Sequence, residues 1–335
     1  MRPGPPTRIP AMPEEPPDVA RVVRVDARAC EVERGDERRM ARLRGRLWED
    51  LGEDTSPVAV GDHVRLGEDE GEWTVEEVLP RRNLFARRAS GQDADRRQPL
   101  AANVDRVVVV NSLAQPPFSS AAADRILATC SFAGIPALLL LNKVDAAKPR
   151  KVRAVEETYA RAGVETLAVS ALRGDGLEAV RERLAEGTSV LYGLSGVGKS
   201  TLLNALHPEL RLPTRPPSRQ LASGRHTTTH SRLYLLPGGG DVIDTPGIRR
   251  FRPYGLPPHE LRLHFPELRD LGRDCRYPDC RHVDEPDCRV RDAVAAGGLA
   301  RSRYRSYLEL LRELEDIHGG PAREPEDGPD HKTRR

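Results

Sequence analysis

The chain has 335 residues, with 53 lysines and arginines against 51 aspartates and glutamates, a formal net charge of +2 and 38% hydrophobic residues. That length and apolar content suffice for two or three domains with buried cores and exclude wholesale disorder. The near-balance of charge means that a nucleic-acid partner would be met by local patches, not by a global field. Only five of the basic residues are lysine, a bias that reads as genomic base composition.

Seven prolines and no apolar stretch among the first twenty residues exclude a secretory signal and predict a disordered tail over 1–18. Residues 319–335 read the same way. The longest apolar run, Ala137–Leu141, falls far short of the roughly 20 residues that cross a bilayer, so no membrane partner is expected. Five cysteines, three of them between Cys275 and Cys288, are not a secreted disulfide framework, and a reducing cytoplasm is the expected compartment.

Residues 19–98 hold short alternating runs (Val22–Val25, Ala41–Arg44, His63–Leu66, Trp73–Val75) split by Gly and Asp turns. About five short strands in about 80 residues predict a closed barrel of the OB type. On the second run Arg42, Arg44 and Arg46 fall on one face, with Leu43 and Leu47 on the other. Arg81, Arg82, Arg87, Arg88, Arg96 and Arg97 form a second basic cluster. Residues 21–100 contain 16 basic and 18 acidic side chains, so a solvated arginine face stays open beside a nucleic-acid face.

Over 99–255 strands alternate with helices. Apolar runs at 107–110, 137–141, 167–169, 190–192, 233–236 and 242–243, with helical patterns at 120–133, 149–162, 177–186 and 199–207, predict an α/β domain with a mostly parallel sheet. Ligands of such sheets bind beyond the carboxyl ends of the strands. Residues 256–318 read as mainly helical, with Tyr304, Leu308, Leu311 and Leu314 as the apolar stripe of the last helix.

The run Gly193-Leu194-Ser195-Gly196-Val197-Gly198-Lys199-Ser200 fits the P-loop pattern between a strand and a helix. Its glycines let backbone N–H groups turn toward phosphate oxygens at a helix N-terminus. Lys199 suits the β- and γ-phosphates, Ser200 a Mg²⁺ ion, and Thr201 completes the contacts. Asn142-Lys143-Val144-Asp145 follows a buried strand, and a carboxylate at Asp145 accepts two hydrogen bonds from guanine N1–H and the 2-amino group, donors that adenine lacks. Ser170-Ala171-Leu172, at another strand end, would bring backbone N–H groups near guanine O6. GTP is therefore the expected nucleotide.

Asp244-Thr245-Pro246-Gly247 ends a further strand, with Asp244 suited to support Mg²⁺ and the Gly247 N–H to meet the γ-phosphate. Between the P-loop and that strand, Gly224-Arg225-His226-Thr227-Thr228-Thr229-His230 offers Thr228 as a Mg²⁺ ligand present only with GTP. Lys199, Thr228, Asp244 and Gly247 are thus the expected catalytic set. The guanine-reading motifs precede the P-loop, an order that predicts a circularly permuted G domain. Ile248 stands where Ras-like enzymes carry a water-orienting glutamine, so weak intrinsic turnover is expected.

Cys275-x4-Cys280-x-His282-x5-Cys288 sets three thiolates and one imidazole within a short stretch, the donor set of a structural zinc with no open position. Cys30 and Cys130 lie in apolar patterns and read as packing residues.

Taken together, the barrel-like start, the permuted G domain, the segments Leu79–Leu84 and Ala101–Asp105, Gly224–Thr229 and the cysteine cluster resemble the ribosome small-subunit-dependent GTPase family over about residues 20 to 315. The resemblance implies a GTPase that binds the small ribosomal subunit and its rRNA, is stimulated by it and assists its late maturation, turning GTP into GDP and phosphate; a monomer is expected. It also implies that the barrel and zinc domains touch rRNA. With few aromatics for base stacking, Arg42, Arg44, Arg46, Arg81, Arg82, Arg87 and Arg88 are the expected phosphate contacts. Some relatives have an aromatic–His pair after the Asp-Thr-Pro-Gly motif; here Tyr254 is followed by Gly255. His226 or His230 stands as a substitute, against the plainer reading of a surface histidine. Three rivals stay open: an RNA-binding module with GTP as a structural ligand, a permuted GTPase of the large subunit, and an ATP-driven zinc protein on DNA.

Overall fold

Five strands close a barrel in the computed structural model, which describes residue 16 and residues 18–214, 231–245 and 251–318. They are β1 (Val19–Val25), β2 (Ala29–Arg34), β3 (Glu37–Leu43), β4 (His63–Asp69) and β5 (Glu72–Val78). The order is β1-β2-β3-β5-β4, with β1 returning to β4 and β3 running parallel to β5. Alternate residues such as Val22, Val32, Val64, Trp73 and Val75 fill the interior. Strand β2 carries Glu31 and Glu33 on its outer face and ends in Arg34, which hides it from an apolar-run reading. Strand β3 ends at Leu43 and the chain turns through Gly45 into a short helix α1 (Arg46–Glu49). Arg44 and Arg46 therefore do not extend the Arg42 face of the strand.

Strands β6 (Leu84–Arg88) and β7 (Arg97–Ala102) form a separate antiparallel hairpin. The expected boundary after residue 98 falls inside β7. The hairpin belongs with the α/β region, because Phe85, Leu100 and Ala101 are buried in the same core as Val107, Val109 and Tyr192.

That region contains β8 (Arg106–Ser112), α2 (Ser120–Phe132), β9 (Ala137–Asn142), α3 (Pro149–Arg161), β10 (Thr166–Ala168), α4 (Leu177–Leu184), β11 (Thr188–Tyr192), α5 (Lys199–Leu206), β12 (Arg232–Leu235) and β13 (Asp241–Asp244). The sheet order is β10-β9-β8-β11-β13-β12, parallel except for β12. Side chains of β8 and β9 alternate between two cores. Val107, Val109, Leu139 and Leu141 pack against α2 and α3, while Val108, Val110, Leu138 and Leu140 pack against α4 and α5.

Barrel and α/β region share one sheet. Arg24 of β1 stands opposite Arg232 of β12, making a continuous run of eleven strands. The repulsion of two facing arginines is relieved by Glu31, 3.5 Å from Arg24 and 3.4 Å from Arg232. Arg21 crosses the same joint to Asp241 and to the Thr188 hydroxyl.

The C-terminal region holds a 3-10 segment Pro258–His264, then α6 (Pro266–Gly272), α7 (Arg289–Ala295) and α8 (Arg301–Ile317). Its core is Leu261, Phe265, Leu268, Tyr307, Leu310, Leu311 and Leu314, with Ala128 of α2. Tyr304 and Leu308 are only partly buried, so the stripe of α8 is centred one residue away from the expected one. Among the described residues no helix is long and apolar enough to cross a membrane. Cys30 and Cys130 are buried.

Candidate functional site

Strand β11 delivers the chain to Gly193–Ser200, and α5 leaves it at Lys199. The loop is packed too closely for side chains: a Cβ on Gly193 would lie 2.3 Å from the Val110 carbonyl oxygen. On Gly198, at φ +99°, it would lie 2.4 Å from Asn142 Nδ2. Lys199 is buried and its Nζ donates to the Gly193 carbonyl at 2.8 Å. Burial pushes its ammonium below the ordinary lysine value, with Asp244 opposing. Ser195 is exposed, while Leu194, Ser200 and Thr201 are half-buried around the loop mouth.

Asn142, at the end of β9, joins three segments. Its Nδ2 donates to the Val197 carbonyl at 3.0 Å, and its Oδ1 accepts from the N–H groups of Lys143 (2.8 Å) and Ala171 (3.1 Å). Lys143 Nζ donates to the carbonyls of Gly196, at 2.6 Å, and of Gln115. Asp145 accepts from Ser170 Oγ at 2.6 Å, which fixes the direction of its carboxylate beside the half-buried Val144. Leu172 is 79% exposed. Of the N–H groups expected near guanine O6, that of Ser170 donates to the Asp175 carbonyl and that of Ala171 to Asn142 Oδ1.

Asp244 is buried at the end of β13, in register with Leu191 of β11, and Thr245 Oγ1 donates to the Leu191 carbonyl at 2.8 Å. Ser200 and Asp244 supply the hard oxygen donors that suit Mg²⁺. Thr228, Gly247, Ile248, His226 and His230 lie outside the described residues, as do both tails from 1–15 and 319–335.

The donor atoms of Cys275, Cys280, His282 and Cys288 all lie within 4.8 Å of one another. His282 Nδ1 is 3.4 Å from Cys288 Sγ and 3.7 Å from Cys275 Sγ, close to the edge of about 3.6 Å expected between ligands of one tetrahedral zinc. The set fits zinc. Tyr304 and Tyr307 of α8 donate to the carbonyls of His282 and Arg281 at 2.6 Å, and Glu285 accepts from the N–H groups of Arg281 and Val283. These contacts hold the loop against the helix independently of a metal.

The barrel arginines are heavily engaged. Arg42 meets Glu72 at 2.7 Å, Arg44 meets Glu76 at 2.8 Å, and Arg46 reaches the Glu76 carbonyl at 2.6 Å. Arg82 meets Asp105 at 2.7 Å and Arg88 meets Asp95 at 3.5 Å, while Arg87 is half-buried. Arg81 is a correction. Its side chain is turned inward to Asp62 at 2.8 Å, Asp54 at 3.3 Å and the Pro57 carbonyl at 3.1 Å, where it ties the barrel together and cannot also take a phosphate.

Two clusters carry no motif. Phe85, Tyr192 and Phe251 pack ring on ring, with centroids 5.2–5.8 Å apart. Arg125 of α2 donates to the Phe251 carbonyl at 2.7 Å and meets Glu313 of α8 at 3.0 Å. The chain after the Asp244 strand is thus anchored beside the P-loop entry. The second cluster is Arg303, buried between Asp124 and Glu267 and over the rings of Tyr159 and Phe265, with Tyr159 Oη donating to Asp124 at 2.7 Å. A lone aspartate in the apolar helix α2 was the one trace of it in the sequence.

The family model described as RsgA GTPase matches residues 78–253, about half of the chain and every described residue of the nucleotide loops. The chain belongs to the RsgA GTPase family. A curated relative from Chlorobaculum tepidum is 37% identical over 303 residues, 88% of this chain and 97% of its own length. Another, from Mannheimia succiniciproducens, is 39% identical over 267 residues, 77% and 75% of the two chains. Both are named small ribosomal subunit biogenesis GTPase RsgA. The crystal structure of YjeQ from Thermotoga maritima is similar with a TM-score of 0.69 and 34% identity, over 89% of this chain and 98% of that one. YloQ, described as a circularly permuted GTPase, matches with a TM-score of 0.65 and 27% identity, over 91% and 97%. The permuted order of the G motifs and the N-terminal barrel are therefore family architecture, and GTP hydrolysis is the family reaction.

Proposed function

We propose that this GTPase acts in biogenesis of the small ribosomal subunit, binds the subunit through its rRNA, and is stimulated by it to turn GTP and water into GDP and phosphate. The observation that carries the reading is the convergence on Asn142, whose amide links the P-loop, the Asp145 loop and the Ala171 loop. A P-loop held to a guanine-selective carboxylate is a GTP site; nothing in that geometry favours ATP.

In this reading Gly193, Leu194, Ser195, Gly196, Val197, Gly198, Lys199, Ser200 and Thr201 cradle the phosphates, and Asn142, Lys143, Val144, Asp145, Ser170, Ala171 and Leu172 surround the base. Lys199 exchanges the Gly193 carbonyl for phosphate oxygens and stabilises charge on the transferred group. Ser200, with Asp244 in support and Thr228 beside the γ-phosphate, would hold Mg²⁺, which would supply further neutralisation of the phosphates, and the Gly247 N–H would meet the γ-phosphate. Zinc at Cys275, Cys280, His282 and Cys288 is structural. The barrel, the G domain and the helical zinc region (about 19–98, 99–255 and 256–318, with the hairpin moved to the G domain) work as a cytoplasmic monomer without a membrane partner. Arg42, Arg44, Arg46, Arg82, Arg87 and Arg88 contribute to RNA contact by trading carboxylates for phosphates.

The test is GTP turnover by the purified chain, alone and with isolated small or large subunits. Stimulation by the small subunit alone supports the reading. Equal rates under all three conditions would overturn it.

A further inference from the structure

Exposed cations and carboxylates are unevenly matched over the molecule. Across the barrel, arginines 21, 24, 38, 39, 42, 44, 46 and 65 each have a carboxylate partner. Helix α3 differs. Lys148 precedes its first turn and Arg150, Arg153 and Arg161 project along it; all four are exposed, and no ion pair is found for any of them among the described residues. With 3.6 residues per turn, Arg150, Arg153 and Arg161 share one face over about 16 Å. A single carboxylate, Glu157, lies on that face, one turn from both Arg153 and Arg161. The first turn contains no acidic residue, although the positive end of a helix favours acids and disfavours cations there. Arg161, in the last turn, suits the negative end of the helix, but the dipole does not account for Lys148, Arg150 and Arg153 at the N-terminal end.

We propose that this face of α3 docks the phosphate backbone of RNA, an inference that rests on the small-subunit reading above. Guanidinium groups along one face of an exposed helix are complementary to a line of phosphates. The face lacks what other partners require. Tyr159 is buried and Val152 and Val155 are turned inward against the core, so there is neither an aromatic platform for bases nor an apolar centre for a protein interface. Position gives the site a role. Lys148 follows Asp145 by three residues, and Lys151 Nζ donates to the Leu113 carbonyl while Leu113 N–H donates to the Asn142 carbonyl. RNA on α3 therefore bears directly on the loop that reads guanine.

The test compares the full-length wild type with K148A/R150A/R153A/R161A and with R150K/R153K/R161K. Binding to isolated small subunits and to protein-free small-subunit rRNA is measured across a salt series, with subunit-free GTP hydrolysis and circular dichroism recorded for each. Each lost phosphate contact lowers the slope of log affinity against log salt by about 0.7–0.9. The alanine variant is expected to lose about 2–3 in slope and at least tenfold in affinity for both ligands, with unchanged basal hydrolysis and helicity. The lysine variant keeps most of the slope. An unchanged slope for both ligands overturns the proposal. So does weakening on intact subunits with unchanged binding to protein-free rRNA, because an acidic protein is then the occupant. A wild type that binds neither ligand overturns the small-subunit reading, and this one with it, a result distinct from loss confined to the variant.

Discussion

At Asn142 one side-chain amide holds three segments that are remote in sequence, with two of its contacts made to backbone groups well away from its own strand end. Asn142→Ala leaves those groups unpaired, at about 1–3 kcal/mol; the expected result in a nucleotide titration is roughly 10- to 100-fold weaker GTP binding with the fold retained. Asp145 acts differently, through charge and acceptor pattern. Asp145→Asn swaps an acceptor for a donor, so competition between GTP and xanthosine triphosphate should shift toward the xanthine base, whose 2-position is an acceptor. Lys199→Ala removes the buried cation beside Asp244. Its GTP turnover is expected to fall by about 10²-fold or more in single-turnover assays, on the scale of losing one preorganised charge contact. The residue types at these positions were legible as motifs because the phosphate and the base each demand particular atoms at short spacing. The partners of Arg81 were not legible, since Asp54 and Asp62 reach it only through the fold of the barrel.

Among elements, the zinc loop and α8 depend on each other. The loop from Cys275 to Cys288 has little apolar side chain of its own, and its order comes from the four donor atoms and from Tyr304 and Tyr307. Removing zinc with a strong chelator, or Cys280→Ser, should lower the melting temperature and loosen the C-terminal helices, because metal binding free energy is folding free energy in such a segment. Loss of helical signal confined to a minor fraction is the expected outcome in circular dichroism, with the G domain intact. The spacing of the ligands made this site readable in advance. The stripe of α8 was read one residue off because Arg303, Ser306 and Tyr307 are buried on a face that hydropathy alone assigns to solvent.

For the molecule as a whole, the joints matter more than the domains. Arg303 fastens α8 and α6 to α2 and α3 through Asp124, Glu267 and Tyr159. Arg303→Met strands the buried Asp124 and leaves the half-buried Glu267 without its partner, so urea unfolding should report a loss of about 3–5 kcal/mol, with early proteolysis between the G domain and the zinc region. The α/β alternation, the barrel and the permuted motif order could be read from local patterns. The joints could not, since each pairs residues far apart whose individual signals are those of ordinary surface charge. The hairpin β6–β7 was missed for a related reason: Leu84–Arg88 and Arg97–Ala102 mix apolar and basic residues without a clean alternation, and Phe85 finds its place only beside Tyr192 and Phe251.

The shared sheet also has a history within each newly made molecule. Arg21 and Asp241, which meet across the joint, are 220 residues apart. At ribosomal elongation rates of about 5–20 residues per second, β1 leaves the ribosome roughly 10–40 s before its partner strands exist. During that interval the half of β1 beyond the reach of β4 is an unpaired strand edge, open to any passing chain. Arg24 sits on that stretch, past the last β4 pairing at Arg21 and His63, and a charged side chain on an edge discourages foreign pairing. The arginine that later faces Arg232 across the joint thus first serves as its guard during synthesis.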